Sequence, residues 1–158
     1  MKWSAAALGS SVLVSAVLAS SVAFASGMDA KQIQIVAKVF NFLEKKPQPK
    51  VTILVMPGAA DLDAVKSALG ALTVVEGGVA NVSGAYAVFV NSAADAQAAT
   101  ASNSSIITIS SDVGCVDSGA CVIAIETQPK VSIYASRAAA TKAGVGFDAN
   151  FKMLITER

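Results

Sequence analysis

Few side chains in this sequence have the types and spacing that chemistry at a protein site requires. The chain contains no histidine, which removes the commonest general base, the commonest metal ligand and the His-dependent hydrolytic triads. Asp61 and Asp63 are the closest candidates for a carboxylate pair, but at a helix start they point apart, so helix capping is favoured. Gly77, Gly78 and Gly84 match neither the Walker loop nor the dinucleotide fingerprint and indicate a turn. We therefore predict no catalytic residue, no metal site and no cofactor.

The two cysteines, Cys115 and Cys121, are the remaining candidates for chemistry. Their spacing is not the C-x-x-C of a thiol oxidoreductase, and no helix N-terminus that would lower a thiol pKa is predicted beside them. In an exported protein, two such cysteines favour a disulfide that staples the intervening loop. A redox-sensitive latch stays open as the alternative, because a disulfide in an exposed loop containing glycine is accessible to reductants.

Residues 1–25 have the features of a signal peptide. Lys2 provides a positive start, the segment from Ala5 to Phe24 is apolar, and Ala23-Phe24-Ala25 fits the A-x-A cleavage signal. We expect cleavage after Ala25 and a periplasmic location for the mature protein. An uncleaved membrane anchor is the competing interpretation, since the apolar segment approaches the roughly 20 residues that a spanning helix needs.

Residues 26–158 have the length of one domain with one hydrophobic core. Of the 12 basic residues only Lys2 lies in the leader, so this part carries 11 basic and 11 acidic residues and no formal net charge. Dispersed lysines without a net positive charge argue against nucleic acid as a partner. No second apolar run is long enough to cross a bilayer, so no direct membrane insertion is expected after cleavage.

The hydrophobic pattern predicts an α/β fold: a single domain with a mixed, mostly parallel sheet of about six strands and helices on both faces. The first helix, from Met28 to Lys46, carries apolar residues at spacings of three and four. Only Gln128-Pro129-Lys130 separates the last two strands, which indicates an antiparallel hairpin. The predicted strands span 51–55, 72–75, 85–90, 105–110, 122–127 and 131–134, and the later helices span 61–69, 92–101, 136–143 and the residues after 148.

The C-terminal half carries a pattern of segments known from one protein family. Its parts are Tyr86-Ala87-Val88-Phe89-Val90, the strand from Ile106 to Asp112, and the stretch from Val131 to Val145. They resemble the YfiR-like family of bacterial periplasmic proteins, in which an apolar strand precedes a "vLtvsd" strand, a loop with Gly and Cys, a "v.feiN" strand and a helix pair. The resemblance extends from Tyr86 to Ile155. The chain departs from the family at Lys45-Lys46-Pro47, where an aromatic–proline corner is usual.

The resemblance implies a regulatory function without catalysis. The characterised member of the family holds an inner-membrane diguanylate cyclase inactive from the periplasm and needs disulfides for its integrity. We therefore expect a non-enzymatic periplasmic regulatory protein that binds a membrane-anchored sensor or cyclase. The alternative is a small-molecule-binding domain resembling one lobe of a periplasmic solute receptor, because α/β sheets offer a crevice at the carboxyl ends of their strands.

Phe42 and Tyr134 are the residues from which we expect partner binding. Phe40 and Phe42 lie on different faces of the first predicted helix, so one can enter the core while the other stays at the surface. An aromatic side chain on the polar side of an amphipathic helix can anchor a partner's groove. Tyr134 ends a hairpin strand, from which its hydroxyl could reach a partner. Self-association into a homo-oligomer is left open by the sequence.

Cleavage after Ala25 gives a mature protein that begins at Ser26. Intact-mass spectrometry of a periplasmic extract is expected to give the mass of residues 26–158 alone, because the small residues of the A-x-A signal fit a signal peptidase. A mass that still includes residues 1–25 would show instead that the leader is retained as an anchor.

Overall fold

Seven strands form one sheet with six helices on its two faces within residues 27–158, which the computed structural model describes. The signal peptide predicted over residues 1–25 lies outside the described residues. The strands are β1 Thr52–Val55, β2 Thr73–Glu76, β3 Ala85–Phe89, β4 Ile107–Ser110, β5 Ile123–Glu126, β6 Ser132–Ala135 and β7 Thr156–Glu157. The helices are α1 Ala30–Val39, α2 Leu62–Ala68, α3 Ala93–Ser102, α4 Val113–Asp117, α5 Arg137–Ala143 and α6 Ala149–Lys152. Short 3-10 turns cover Phe40–Phe42 and Val79–Asn81.

The sheet order is β2-β1-β3-β4-β5-β6-β7. Strands β1 to β5 are parallel, β6 runs antiparallel to β5, and β7 runs parallel to β6. This confirms the predicted α/β class, the mostly parallel sheet and the antiparallel hairpin, with seven strands where about six were expected. The additional strand is β7, which is two residues long and therefore too short for hydrophobic periodicity to reveal.

The helices divide between the two faces because the strand order changes direction between β1 and β3. The connection from β1 through α2 leads one way along the sheet, and the connection from β3 through α3 leads the other way. Right-handed crossovers then place α2 and α3 on opposite faces. In agreement, α1 packs against α2 on one face and α3 packs against α4 on the other. The carboxyl ends of β1 and β3 thus form the topological switch point.

The start of α1 is fixed to the carboxyl end of the sheet by a buried polar side chain. Asp29 caps the helix by accepting a hydrogen bond from the Gln32 amide, and the Gln32 side chain accepts one from the Asp29 amide. Gln32 Nε2 also donates to the Ile125 carbonyl of β5 at 2.7 Å. Ile33 and Val36 follow Gln32 into the core. The first helix is therefore tied to β5 as well as packed on the sheet.

The first helix ends earlier than the hydrophobic spacing predicted. Its α-helical part ends at Val39, and after the 3-10 turn the chain becomes extended at Leu43. Leu43 forms an antiparallel bridge with Phe147, flanked by hydrogen bonds from the Glu44 amide to Gly146 and from the Asp148 amide to Phe42. The predicted extension to Lys46 is wrong because backbone pairing with a segment about a hundred residues away in sequence replaces helical hydrogen bonds there.

The core is built from the central strands and from small helix residues. The largest side chains that are fully buried include Ile53, Leu54, Phe89, Ile109 and Ile123. Alanines of the helices on both faces contact this core, which allows close approach of helix and sheet. Within residues 27–158, no helix combines the length and apolar composition that would be needed to cross a membrane.

Replacing Gln32 by Ala is expected to lower the free energy of unfolding by about 1–3 kcal/mol, because the buried Ile125 carbonyl loses its donor and α1 loses half of its capping box. Gln34→Ala is the matched control, since Gln34 is exposed on the same helix and its loss should change stability by less than about 0.5 kcal/mol. Urea unfolding measures both variants. Equal effects of the two substitutions would contradict the anchoring role of Gln32.

Candidate functional site

The crevice at the switch point, where α/β proteins commonly bind ligands, is filled by the chain itself. Met28 is buried to 2% exposure, and its amide donates to the Ala59 carbonyl at 2.8 Å. Asn91, which follows β3, donates from Nδ2 to the Pro57 carbonyl at 3.0 Å. A side chain at Gly27 would collide with the Gly58 carbonyl, so the backbone passes closely over the loop that follows β1. The first described residues thus close the crevice.

Cys115 and Cys121 form a disulfide with a Cα–Cα distance of 5.2 Å, as the sequence predicted. Their predicted position in an exposed loop is wrong, because Cys115 belongs to α4 and both cysteines are fully buried. The Cys121 amide donates to the Cys115 carbonyl at 2.9 Å, and buried Thr108 of β4 donates to the Ala120 carbonyl at 3.2 Å. The bond therefore staples α4 to the start of β5. Such a disulfide indicates an oxidising, non-cytoplasmic compartment.

Phe42 lies in the 3-10 turn after α1 and is half-buried, not exposed on the polar side of a helix as expected. Its ring stacks on Phe151 of α6 with centroids 5.1 Å apart and planes 10° from parallel. Phe147 packs against the same Phe151 ring. Of Phe40 and Phe42, it is Phe40 that enters the core, with 3% exposure. The sequence analysis predicted that one of the two could do so. One face of the Phe42 ring is therefore covered, because its turn is drawn toward α6 by the bond from the Asp148 amide.

Tyr134 of β6 is half-buried beneath the C-terminal residue. Its hydroxyl donates to Glu126 Oε2 at 3.2 Å, and the Arg158 guanidinium lies 5.5 Å from the centre of its ring. Arg158 also pairs with Asp117 of α4 at 3.3 Å, so Tyr134 faces the α3–α4 layer. Phe42 faces the opposite layer, and the structure does not bring these two residues together. Their roles in partner binding stay predictions.

An exposed apolar pair at the end of α6 was missed by the sequence analysis. Met153 and Leu154 are 78% and 67% exposed, although the helix predicted after residue 148 was expected to include Leu154. The structure ends α6 at Lys152, and the chain then turns, with the Leu154 amide donating to the Phe151 carbonyl at 2.8 Å. We call the exposed pair Met153 and Leu154 the C-terminal apolar patch; Phe42 contacts Phe151, which lies two residues before this pair in sequence. Asp148 marks the start of this helix, but helical spacing does not mark its end, so the exposure of the pair could not be predicted.

Among the described residues, the titratable groups with shifted pKa values are Tyr86, Arg137 and Glu157. Burial raises the pKa of the Tyr86 hydroxyl to about 12, and this hydroxyl donates to the Lys45 carbonyl at 2.8 Å. Because the pKa in the unfolded chain is lower, the contribution of Tyr86 to stability is complete below about pH 10 and falls as the pH rises toward 12. A hydrogen bond from Arg137 lowers the pKa of the exposed Glu157 carboxyl. Among the described residues, no three Cys, Asp or Glu side chains are grouped so as to hold a metal ion.

Comparison with known proteins adds no family assignment. No protein-family model matches the chain, and no curated protein matches it. The similarity to the YfiR-like family consequently rests on the sequence motifs alone.

Removing the disulfide by substituting both Cys115 and Cys121 with Ala is expected to lower the free energy of unfolding by about 2 kcal/mol, because the bond closes only a short loop. The domain should still unfold cooperatively in urea, since its core is otherwise intact. Thiol labelling of the denatured, unreduced wild-type protein should modify neither cysteine. Labelling of both residues would contradict the bond.

Proposed function

We propose that the chain is a non-enzymatic periplasmic regulatory protein that binds the periplasmic sensor domain of an inner-membrane signalling protein. Repression of a diguanylate cyclase is the specific form of this hypothesis. The observation that carries the proposal is the C-terminal apolar patch. The buried Cys115–Cys121 disulfide is consistent with an exported protein, and the absence of histidine from the sequence favours binding over acid–base catalysis.

The C-terminal apolar patch has the properties of a contact surface. Isolated apolar side chains are common on protein surfaces, but Met153 and Leu154 are adjacent, large and both mostly exposed. Burying either one against a partner would contribute about 1.5–3 kcal/mol from apolar area. Phe42, held against Phe151, provides an aromatic side chain whose orientation is fixed before binding. The Phe42 ring therefore loses little conformational entropy when a partner covers it.

The closed crevice favours protein binding over the solute-receptor alternative. A receptor lobe of the α/β type uses the carboxyl ends of its strands to hold a small molecule. In this chain that place is occupied by Gly27 and by Met28, whose side chain is part of the core. A ligand there would first have to displace a buried methionine and its backbone hydrogen bond to Ala59.

Replacing both Met153 and Leu154 by Ser is expected to weaken capture of the partner at least tenfold, equivalent to about 1.4 kcal/mol, because the exposed apolar contacts are lost. Capture is measured by passing detergent-solubilised inner-membrane proteins over the immobilised protein and quantifying integral membrane proteins with a periplasmic domain. Val131→Ser is the matched control, since Val131 is an exposed apolar residue in the β5–β6 hairpin. Phe42→Ala is less informative, because it also removes the stack on Phe151.

Cyclic-di-GMP measured in cells tests the specific form of the hypothesis. Deleting the gene should raise the cyclic-di-GMP level. Expression of the wild-type protein or of the Val131→Ser variant should return the level to its value before deletion, whereas the Met153→Ser, Leu154→Ser double variant should leave it raised. An unchanged level after deletion would reject cyclase repression. Equal capture by the double variant and the control would reject the patch as the contact surface.

A further inference from the structure

Charged side chains are segregated between the two ends of the sheet, although the acidic and basic residues of the described chain balance in number. Lysines lie around the amino ends of β1, β2 and β3. Two come from the last turns of α1 and α2, and the others come from the loop that contacts Tyr86 and continues to the start of β1. We call this the basic end, and its lysines are Lys38, Lys45, Lys46, Lys50 and Lys66.

Acidic side chains at the opposite end are already engaged inside the fold. Asp29, Asp61 and Asp112 stand at the carboxyl end of the sheet and cap α1, α2 and α4. Each accepts a hydrogen bond from a helix amide, at 2.8, 2.7 and 2.8 Å respectively. Their negative charge compensates the positive ends of the helix dipoles. We call the carboxyl end of the sheet, with these three aspartates, the acidic end. Its three aspartates serve as helix caps.

The lysines of the basic end do not take part in the ion pairs of the described residues. In the part of the chain that the structure describes, the ion pairs are Arg137–Glu157 and Arg158–Asp117, and neither includes one of the five lysines. Lys38 and Lys66 lie at helix C-termini, where they favour the dipole, but Lys45, Lys46 and Lys50 lie in a loop. All five side chains are exposed.

Two acidic residues lie near the basic end, and within the described residues neither forms an ion pair with one of its lysines. The Glu44 carboxylate lies against Gly146, and Asp148 caps α6 by accepting from the Phe151 amide at 2.8 Å. The five lysines of the basic end therefore outnumber the acidic residues near it, and an excess of positive charge attracts acidic partners at long range.

A groove with an apolar floor opens within the basic end, between α1 and α2. It has a volume of about 340 Å³. Its floor includes Phe40, Leu69 and Leu72, and its rim includes Lys38, Asn41 and Pro47. The Lys38 ammonium and the Asn41 amide can both donate hydrogen bonds to carboxylates at the rim. The groove combines apolar and polar surface, so an occupant that carries both apolar and acidic groups matches it.

We infer that this groove, hereafter the α1–α2 groove, binds an acidic segment of a partner protein that carries apolar side chains. The inference rests on the proposed function, because its occupant is a protein. An anionic lipid surface fits less well, since a membrane-binding site needs large apolar side chains that protrude. Among residues 27–158, the large exposed apolar residues are Val75, Val131, Met153 and Leu154, and none of them lines the groove.

The test uses a fluorescein-labelled, capped octapeptide of alternating glutamate and leucine, with binding followed by fluorescence anisotropy. Lys38→Glu combined with Lys46→Glu should weaken binding at least tenfold, because the substitutions reverse the charge of Lys38, which lines the groove, and of Lys46, which precedes the lining residue Pro47. Lys31→Glu combined with Lys130→Glu is the matched control, since both residues are exposed and lie near the acidic end. This control changes the net charge equally and should leave binding within about twofold of wild type. Thermal unfolding confirms that both double variants fold.

Three outcomes would overturn the inference. They are equal weakening by the two double variants, equal binding of a peptide with glutamine in place of glutamate, and binding of phosphatidylglycerol vesicles without binding of the acidic peptide. The proposed function is tested separately through the C-terminal apolar patch. Failure of the wild-type protein to capture any membrane protein would reject the proposed function, whereas capture without peptide binding would reject only the α1–α2 groove.

Discussion

Two backbone hydrogen bonds between distant parts of the chain determine much of what is exposed on this molecule. The Glu44 amide donates to Gly146 at 2.9 Å, and the Asp148 amide donates to Phe42 at 3.0 Å. Together they end the first helix, direct the following lysines to the amino end of the sheet and hold the Phe42 ring over Phe151. Both surfaces proposed for recognition therefore depend on one short antiparallel contact between the N-terminal and C-terminal segments.

The fold separates two tasks that many α/β proteins combine. The carboxyl edge of the sheet, the usual ligand-binding edge, is occupied by the first described residues and by capping aspartates. The five lysines of the basic end and the exposed Met153–Leu154 pair lie elsewhere. At the carboxyl edge, hydrogen-bonded aspartates and the buried Met28 stabilise the fold. The surfaces available to partners are therefore those whose charged or apolar side chains make no such contact within the domain.

The fold was largely predictable from the sequence because its signals are local. Short apolar runs identified β1, β3 and β4, and the pattern identified the helices that the structure caps with Ser92 and Ser136. Gly144, with φ of 67°, ends α5 as expected of a glycine in the left-handed region.

The candidate sites were less predictable because they depend on contacts between distant residues. Helical spacing alone could not reveal that Phe42 leaves the helix to pair with the α5–α6 connection, nor that Tyr134 is covered by Arg158. The helix α4 was not predicted, because it is only five residues long and shows no helical pattern in the sequence. The Asp112 cap and packing on β5 stabilise it. Charge segregation was equally hidden, since lysines scattered along the chain meet only after folding.

The passage of Gly27 over Gly58 fixes where the chain enters the domain. That entry point lies at the acidic end of the molecule, remote from the α1–α2 groove. Arg158, at the other terminus, takes part in the sheet edge through a hydrogen bond from its amide to Ala135. The described chain therefore begins at the acidic end, and the lysines of the basic end lie at or beyond the opposite end of α1.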